Sequence, residues 1–259
     1  MVHASFTFPS RVLGRNTDFQ VLLPRPQSLY TDAAASMDFT GKKCVWFFHG
    51  VSDNAQAVVT HTDLAALCDQ LDFIAVLPSV ENSFCLDVDA TLRFRTYLLE
   101  ELFPYVKRLL SLSERREDQI VGGISMGGYG ACSLGLGCPE LFSKVFCLSG
   151  ALDMRMGARF ARACGIPLAA PLIERDVLER HPDWDLLQLL DRAAAGGEKI
   201  PPIWMVCSEL DAVFKSNLSF AQRGAELGLA VELHRAPGLH DWAFWRENLP
   251  AALDWALRS

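Results

Sequence analysis

The stretch Gly122-Gly123-Ile124-Ser125-Met126-Gly127-Gly128-Tyr129-Gly130 constrains this chain more than any other. It contains Gly-x-Ser-x-Gly. Asp118 to Val121 before it read as a short buried strand, and the residues after it, through Leu136, read as a helix of small side chains. A strand that turns sharply into a helix at a serine is the nucleophile-elbow pattern. There Ser125 takes a strained backbone conformation so that its hydroxyl projects from the sheet. Gly123 and Gly127 leave room where larger side chains would collide. The helix that follows directs free N–H groups and a positive dipole end toward whatever the serine attacks. The plainer reading is a glycine-rich turn with an exposed serine. The strand, the helix and the further small residues together favour the elbow.

The flanking sequence supplies a sheet for such a turn. Continuous apolar runs at Phe19 to Leu23, Cys44 to Phe48, Phe73 to Leu77, Lys144 to Leu148, Ile203 to Cys207 and Leu229 to His234 read as strands. Runs of this kind belong to parallel strands covered on both faces. Helices are expected at about 60–70, at 92–112 with a bend at Pro104, at 217–227 and from 242 to the end at Arg258. Pro26 to Lys42 reads as a loop. Between Asp153 and Lys199 strand runs disappear, and the Arg-, Ala- and Leu-rich sequence reads as a helical cap inserted at about 153–199. The expectation is one α/β domain over 1–259, with a mostly parallel central sheet flanked by helices.

Composition excludes several classes. Half of the 259 residues are hydrophobic, the net charge is −7, and no Lys/Arg cluster occurs, which argues against binding nucleic acid or an anionic membrane. No apolar run approaches the roughly 18 residues that span a bilayer, and the N-terminal residues do not read as an export signal. The eight cysteines (44, 68, 85, 132, 138, 147, 164 and 207) include no Cys-x-x-Cys pair and mostly sit in apolar segments. They read as buried free thiols of a reducing, cytoplasmic protein. No Cys/His group has zinc-ligand spacing, so no metal or cofactor is expected.

A serine hydroxyl is a poor nucleophile near neutral pH without a base, and the base needs a carboxylate to fix its tautomer. After an elbow serine the partners follow in the order acid, then histidine. His3, His49 and His61 precede Ser125, His181 falls in the cap and His234 lies within a strand, which leaves His240 in the loop after the last strand. The acid belongs after the preceding strand, where Glu209 and Asp211 both lie. Asp211 is preferred as deeper in the turn, and Asp241 is disfavoured by its adjacency to the histidine. Glu100 and Glu101 are neighbours about 100° apart around a helix, and read as solvated or helix-positioning rather than catalytic. The oxyanion donors expected are the backbone N–H of Met126 and that of Val51, which follows His49-Gly50.

These motifs resemble the tributyrin esterase branch of the esterase D family of α/β-hydrolase carboxylesterases, related to S-formylglutathione hydrolases, feruloyl esterases and the mycolyltransferase fold. The resemblance rests on Ser10 to Gly14, Phe48-His49-Gly50, Ser83-Phe84 with the Asp87 loop, Glu100 to Pro104, Gly123 to Ala131, Ser149 to Asp153, Cys207 to Asp211 and Pro237 to Trp242. It implies an α/β-hydrolase fold, a Ser125–Asp211–His240 triad and an oxyanion hole at the Val51 and Met126 amides. The expected substrate is a small-molecule ester with a short acyl chain. Thioester hydrolysis of the S-formylglutathione type is the runner-up, since the loop His49-Gly50-Val51-Ser52-Asp53-Asn54 lacks the Thr-Cys pair expected there. Feruloyl or acetyl-xylan esters, acyl transfer, and a non-catalytic binding module complete the alternatives. Leu239, where relatives often carry glycine, and the cap between Met154 and Glu198 depart from the pattern. The aromatic residues of the last helix, Trp242, Phe244, Trp245 and Trp255, read as core packing rather than a homo-oligomer interface.

Overall fold

The computed structural model describes residues 1–25, 39–174 and 176–258. Most of the loop expected at 26–42 therefore lies outside the described residues. Eight strands form one sheet in the order β1 (Val2–Ser10), β2 (Arg15–Leu23), β4 (Ile74–Pro78), β3 (Cys44–Phe48), β5 (Gln119–Ile124), β6 (Lys144–Leu148), β7 (Ile203–Cys207) and β8 (Val231–Arg235). From β4 to β8 every pairing is parallel, while β1 and β2 pair antiparallel at one edge. This is the α/β-hydrolase arrangement. Strands β3, β4, β5 and β7 are buried at every residue, as their unbroken apolar sequence requires.

Strand β1 is an addition to the strands expected. Its alternation of half-buried and exposed positions is that of an edge strand with one face on the core, and Phe6 stacks on Phe19 at 4.7 Å. The helix expected at 60–70 is two, α1 (Ala55–His61) and α2 (Leu64–Leu71). The break falls at Thr62, whose hydroxyl donates to Val58 O at 2.7 Å and accepts from Leu64 N–H at 3.3 Å. That side chain offers the backbone an alternative to continuing the helix.

The long helix expected at 92–112 runs as α3 (Phe94–Thr96), a π-helical stretch (Tyr97–Leu102) and α4 (Phe103–Leu109). Pro104 has no N–H to donate and stands just past the wide turn, which is where the ladder is disturbed. On this helix Glu101 Oε1 accepts from the N–H groups of Arg11 and Val12 at 3.1 and 3.2 Å, and Ser10 Oγ donates to Oε2. Glu101 thus clamps the β1–β2 turn, and Glu100 is exposed.

After β5 comes α5 (Met126–Gly137), whose residues through Leu136 are all buried between the sheet and the segment that follows β6. That segment holds α6 (Met154–Ala163), α7 (Ala170–Ile173), α8 (Val177–Arg180), a short 3-10 turn (Pro182–Trp184) and α9 (Leu186–Gly196). The chain then continues through β7, α10 (Phe214–Glu226), β8 and α11 (Trp242–Leu257). Phe244 and Trp245 of α11 are buried against the sheet, and Trp242 and Trp255 pack beside them. Six of the cysteines are buried, but Cys138 is only half-buried and Cys164, on the cap, is exposed, which corrects the expectation for those two. Among the described residues no helix is long and apolar enough to cross a membrane.

Candidate active site

Ser125 stands between the last residue of β5 and the first of α5 with φ +54° and ψ −114°. A non-glycine residue there is strained. The strain is held by backbone contacts on both sides. Ser125 N–H donates to Leu148 O at 2.9 Å, and Ser125 O accepts from the N–H groups of Tyr129 and Ala151 at 3.1 and 3.0 Å. The glycines are required by close approach. A Cβ on Gly123 would lie 2.3 Å from Gly127 C and O, and one on Gly127 would lie 2.2 Å from Phe48 O. The elbow thus packs directly on the end of β3, where the loop that carries Val51 begins.

His240 reaches this turn from the loop between β8 and α11. Its Nε2 is 2.9 Å from Ser125 Oγ, and its Nδ1 is 2.8 Å from Asp211 Oδ2. The arrangement fits a tautomer in which Nδ1–H donates to the carboxylate and Nε2 accepts from the serine hydroxyl. Trp245 packs edge-on against the imidazole at 5.1 Å. Asp211 also accepts from Val213 N–H through Oδ1 at 3.0 Å. Burial pushes the Asp211 pKa up, but hydrogen bonding and charge attraction from His240, with the Val213 N–H, outweigh it and hold the carboxyl below its usual range. Asp211 is therefore ionised at neutral pH and oriented toward the imidazole.

The other acids expected near His240 are used elsewhere. Asp241 caps α11 by accepting from Phe244 N–H at 2.9 Å, and Glu209 pairs with Arg235 at 2.7 Å on the surface. The remaining histidines have structural partners. His3 contacts Gln20, His61 stacks on Trp242, His181 on Trp184 and His234 on Trp204.

His49 is a residue whose part the sequence reading missed. It is fully buried, and its Nε2 accepts from Val80 N–H at 2.9 Å while Nδ1 lies 2.7 Å from Gly50 O. Because Val80 can only donate, Nε2 is bare and Nδ1 carries the proton to Gly50 O. Burial lowers the His49 pKa to about 4, against a smaller opposing effect of the Gly50 carbonyl. A neutral imidazole thereby ties the Gly50-Val51 loop to the end of β4. Asn82 holds the next residue, accepting from Ser52 N–H at 2.7 Å. These bonds link residues some thirty positions apart, and no local pattern in the sequence encodes them.

Val51 and Met126 line one small recess together with Ser125, His240, Phe84 and Val213. The structure thus brings Ser125, Asp211 and His240 into one hydrogen-bonded line and sets Val51 and Met126 beside it, with Gly123 and Gly127 beneath.

A mostly parallel sheet with a serine elbow after β5, a carboxylate after β7 and a histidine after β8 defines an α/β-hydrolase. The family model described as "Putative esterase" matches residues 10–256, and the chain belongs to that esterase family, a family of carboxylic ester hydrolases. It is 26% identical over 263 residues to an acetyl esterase of Caldicellulosiruptor saccharolyticus, covering 98% of each chain. Among solved structures it is similar to the fluorophosphonate-binding serine hydrolase FphF of Staphylococcus aureus, with TM-score 0.84, 22% identity and coverage of 100% of this chain and 99% of that one. The S-formylglutathione hydrolase FrmB of the same organism matches with TM-score 0.83, 22% identity and 99% of both chains. At these identities the two structures speak to the fold.

Proposed function

We propose that this protein is a serine carboxylesterase that hydrolyses short-chain acyl esters, with Ser125 as nucleophile, His240 as base and Asp211 as the acid that orients it. The observation that carries this reading is the unbroken hydrogen-bonded line from Asp211 through His240 to Ser125. In the first half-reaction His240 Nε2 takes the Ser125 proton as Oγ attacks the ester carbonyl. The tetrahedral oxyanion is held by the N–H groups of Val51 and Met126; losing one such donor typically costs about 100- to 1000-fold in rate. His240 then protonates the departing alcohol, leaving Ser125 acylated. In the second half-reaction His240 deprotonates water, the hydroxide attacks the acyl carbonyl, and the proton returns to Ser125 as the carboxylic acid leaves. The scheme needs no metal or cofactor, because serine supplies the nucleophile and histidine moves the proton.

The short-chain preference is supported by the recess over Ser125. It has a volume of about 10 Å³ and is closed by Phe84, Val213, Ala151 and Gly157. A short acyl group demands less widening there than a long chain, which would have to displace the surrounding helices. The acetyl esterase relative points the same way. The thiol-rich interior suits a reducing compartment, and a cytoplasmic location is part of the proposal. The deciding experiment is hydrolysis of p-nitrophenyl esters from acetate to decanoate by wild type and by Ser125→Ala. The expected result is fastest turnover of the shortest esters and a loss of roughly 10⁴-fold or more in the variant. Turnover that survives the substitution would overturn the assignment of Ser125.

A further inference from the structure

A second, larger and more open hollow borders the same loop as the recess. It has a volume of about 460 Å³, against about 10 Å³ over Ser125. Consecutive residues of that loop line the two, Val51 the recess and Ser52 the cleft. A Cβ placed on Gly50 would lie 3.6 Å from Ser125 Cβ and 3.8 Å from Asp53 Oδ2, so the nucleophile and the Asp53 carboxylate flank the same glycine.

The cleft is a constructed feature of the fold. Asn82 spans it, accepting from Ser52 N–H through Oδ1 at 2.7 Å and donating from Nδ2 to Pro167 O on the cap at 3.1 Å. Ser52 itself sits at φ +67°, a left-handed conformation that a side-chain-bearing residue adopts only when it is held. Asp53 and Glu81 add carboxylates, and Leu92 and Leu168 add apolar surface. No lining residue among those described is basic. Glu81 is answered by Arg15 at 2.6 Å from outside the lining, which leaves Asp53 as the lining carboxylate that stands beside Gly50. Burial raises the pKa of Asp53, with His61 opposing, as expected of a carboxylate that water solvates incompletely.

An ester on Ser125 has two sides, and only one fits the recess. We infer that the cleft receives the alcohol side, that Asp53 and Asn82 hydrogen-bond the hydroxyls of a neutral polyol such as glycerol or a sugar, and that leaving groups bearing negative charge are rejected. The inference rests on the esterase reading above. Hydroxyls are donors that satisfy carboxylate and amide oxygens, whereas a carboxylate on the leaving group would face the like charge of Asp53. S-formylglutathione, with its net negative charge, falls among the rejected substrates.

The test compares kcat/KM of wild type for p-nitrophenyl acetate, monoacetylglycerol, acetylcholine, acetyl-lactate and S-formylglutathione. Monoacetylglycerol is expected to exceed acetyl-lactate and S-formylglutathione by roughly tenfold or more, the worth of one hydrogen bond to a charged group. Asp53→Ala should lower the ratio of monoacetylglycerol to p-nitrophenyl acetate by a similar factor, and Asp53→Lys should turn the preference toward acetyl-lactate. Equal use of the glycerol and lactate esters by wild type would overturn the inference, as would ratios that neither substitution moves. A preference for acetylcholine over monoacetylglycerol would also overturn it, since it would make the cleft a cation site. Hydrolysis of p-nitrophenyl acetate separates the two levels: if it fails in wild type the esterase reading falls, and if it proceeds while the ratios stay fixed only the cleft assignment falls. Should Asp53→Lys not fold, the wild-type series and Asp53→Ala still decide the matter.

Discussion

The elbow and the cap meet at one buried hydrogen bond, Tyr129 Oη to Trp184 O at 2.6 Å, yet they are held by different means. The elbow is fixed by main chain against main chain. Gly123 touches Gly127, Gly127 touches the carbonyls of Phe48 and His49, and Gly128 faces Gly150 Cα. Nothing there can give way without moving a strand. The cap is made of short helices anchored by side chains: Tyr129 on Trp184, Asn82 on Pro167, Arg116 on Lys199 O and Arg223 on Asp191. Its glycines at 165 and 197 have positive φ and open space around them. Ser125 therefore stands where main chain packs on main chain, while the helices of 154–196 are joined to the rest through side chains.

The contrast can be broken most sharply at Gly127. Gly127→Ala places a methyl 2.2 Å from the Phe48 carbonyl, where only backbone can yield. We expect a loss of about 3 kcal/mol or more, read as a thermal midpoint lower by roughly 6–12 °C, together with loss of esterase activity. Gly197→Ala in the cap, strained but unobstructed, should cost only about 1 kcal/mol and leave hydrolysis intact. Equal effects at the two positions would refute the distinction.

Acid should also act on the elbow side first. The unfolded chain protonates His49 near its ordinary pKa of 6.5, while the folded protein resists until about 4. Below 6.5 the unfolded state thus binds the extra proton. The contribution of His49 to stability, complete above 6.5, shrinks as the pH falls and is spent by about 4, a change of about 3 kcal/mol. Denaturant midpoints followed from pH 7 to pH 4 should show this decline, and His49→Gln should flatten it.

A further effect belongs to the joint itself. Tyr129→Phe leaves the buried Trp184 carbonyl unpaired at a cost of about 1–2 kcal/mol. Amide exchange should quicken across 182–196 while β5 keeps its protection. Exchange that quickens equally in both would show that elbow and cap form one cooperative unit.

What could be read from the sequence follows the same division. The elbow was legible because its constraint is written in residue type: only glycine fits at 123 and 127, and only certain neighbours make a strand on one side and a helix on the other. The line from Ser125 to Asp211 and His240 was legible because strand order fixes where each side chain emerges. The site's supporting contacts were not, since Asn82 and His49 act on loops that are adjacent only in space. Edge strand β1 carried its signal in the alternation of Val2, Ala4, Phe6 and Phe8 with polar neighbours, obscured by Pro9. The break between α1 and α2 has no Gly or Pro to mark it, only a threonine hydroxyl with a carbonyl in reach.

The line through His240 joins contacts of very different span. His240 and Asp211 are 29 residues apart, whereas His240 and Ser125 are separated by 115. During refolding the first contact needs only β7, β8 and their connection, but the second needs the chain from β5 onward in register. Loop closure grows costlier by about 0.6 kcal/mol for each doubling of length, so the longer contact pays the greater entropy. Recovery of esterase activity is thus expected to follow recovery of helix signal in time.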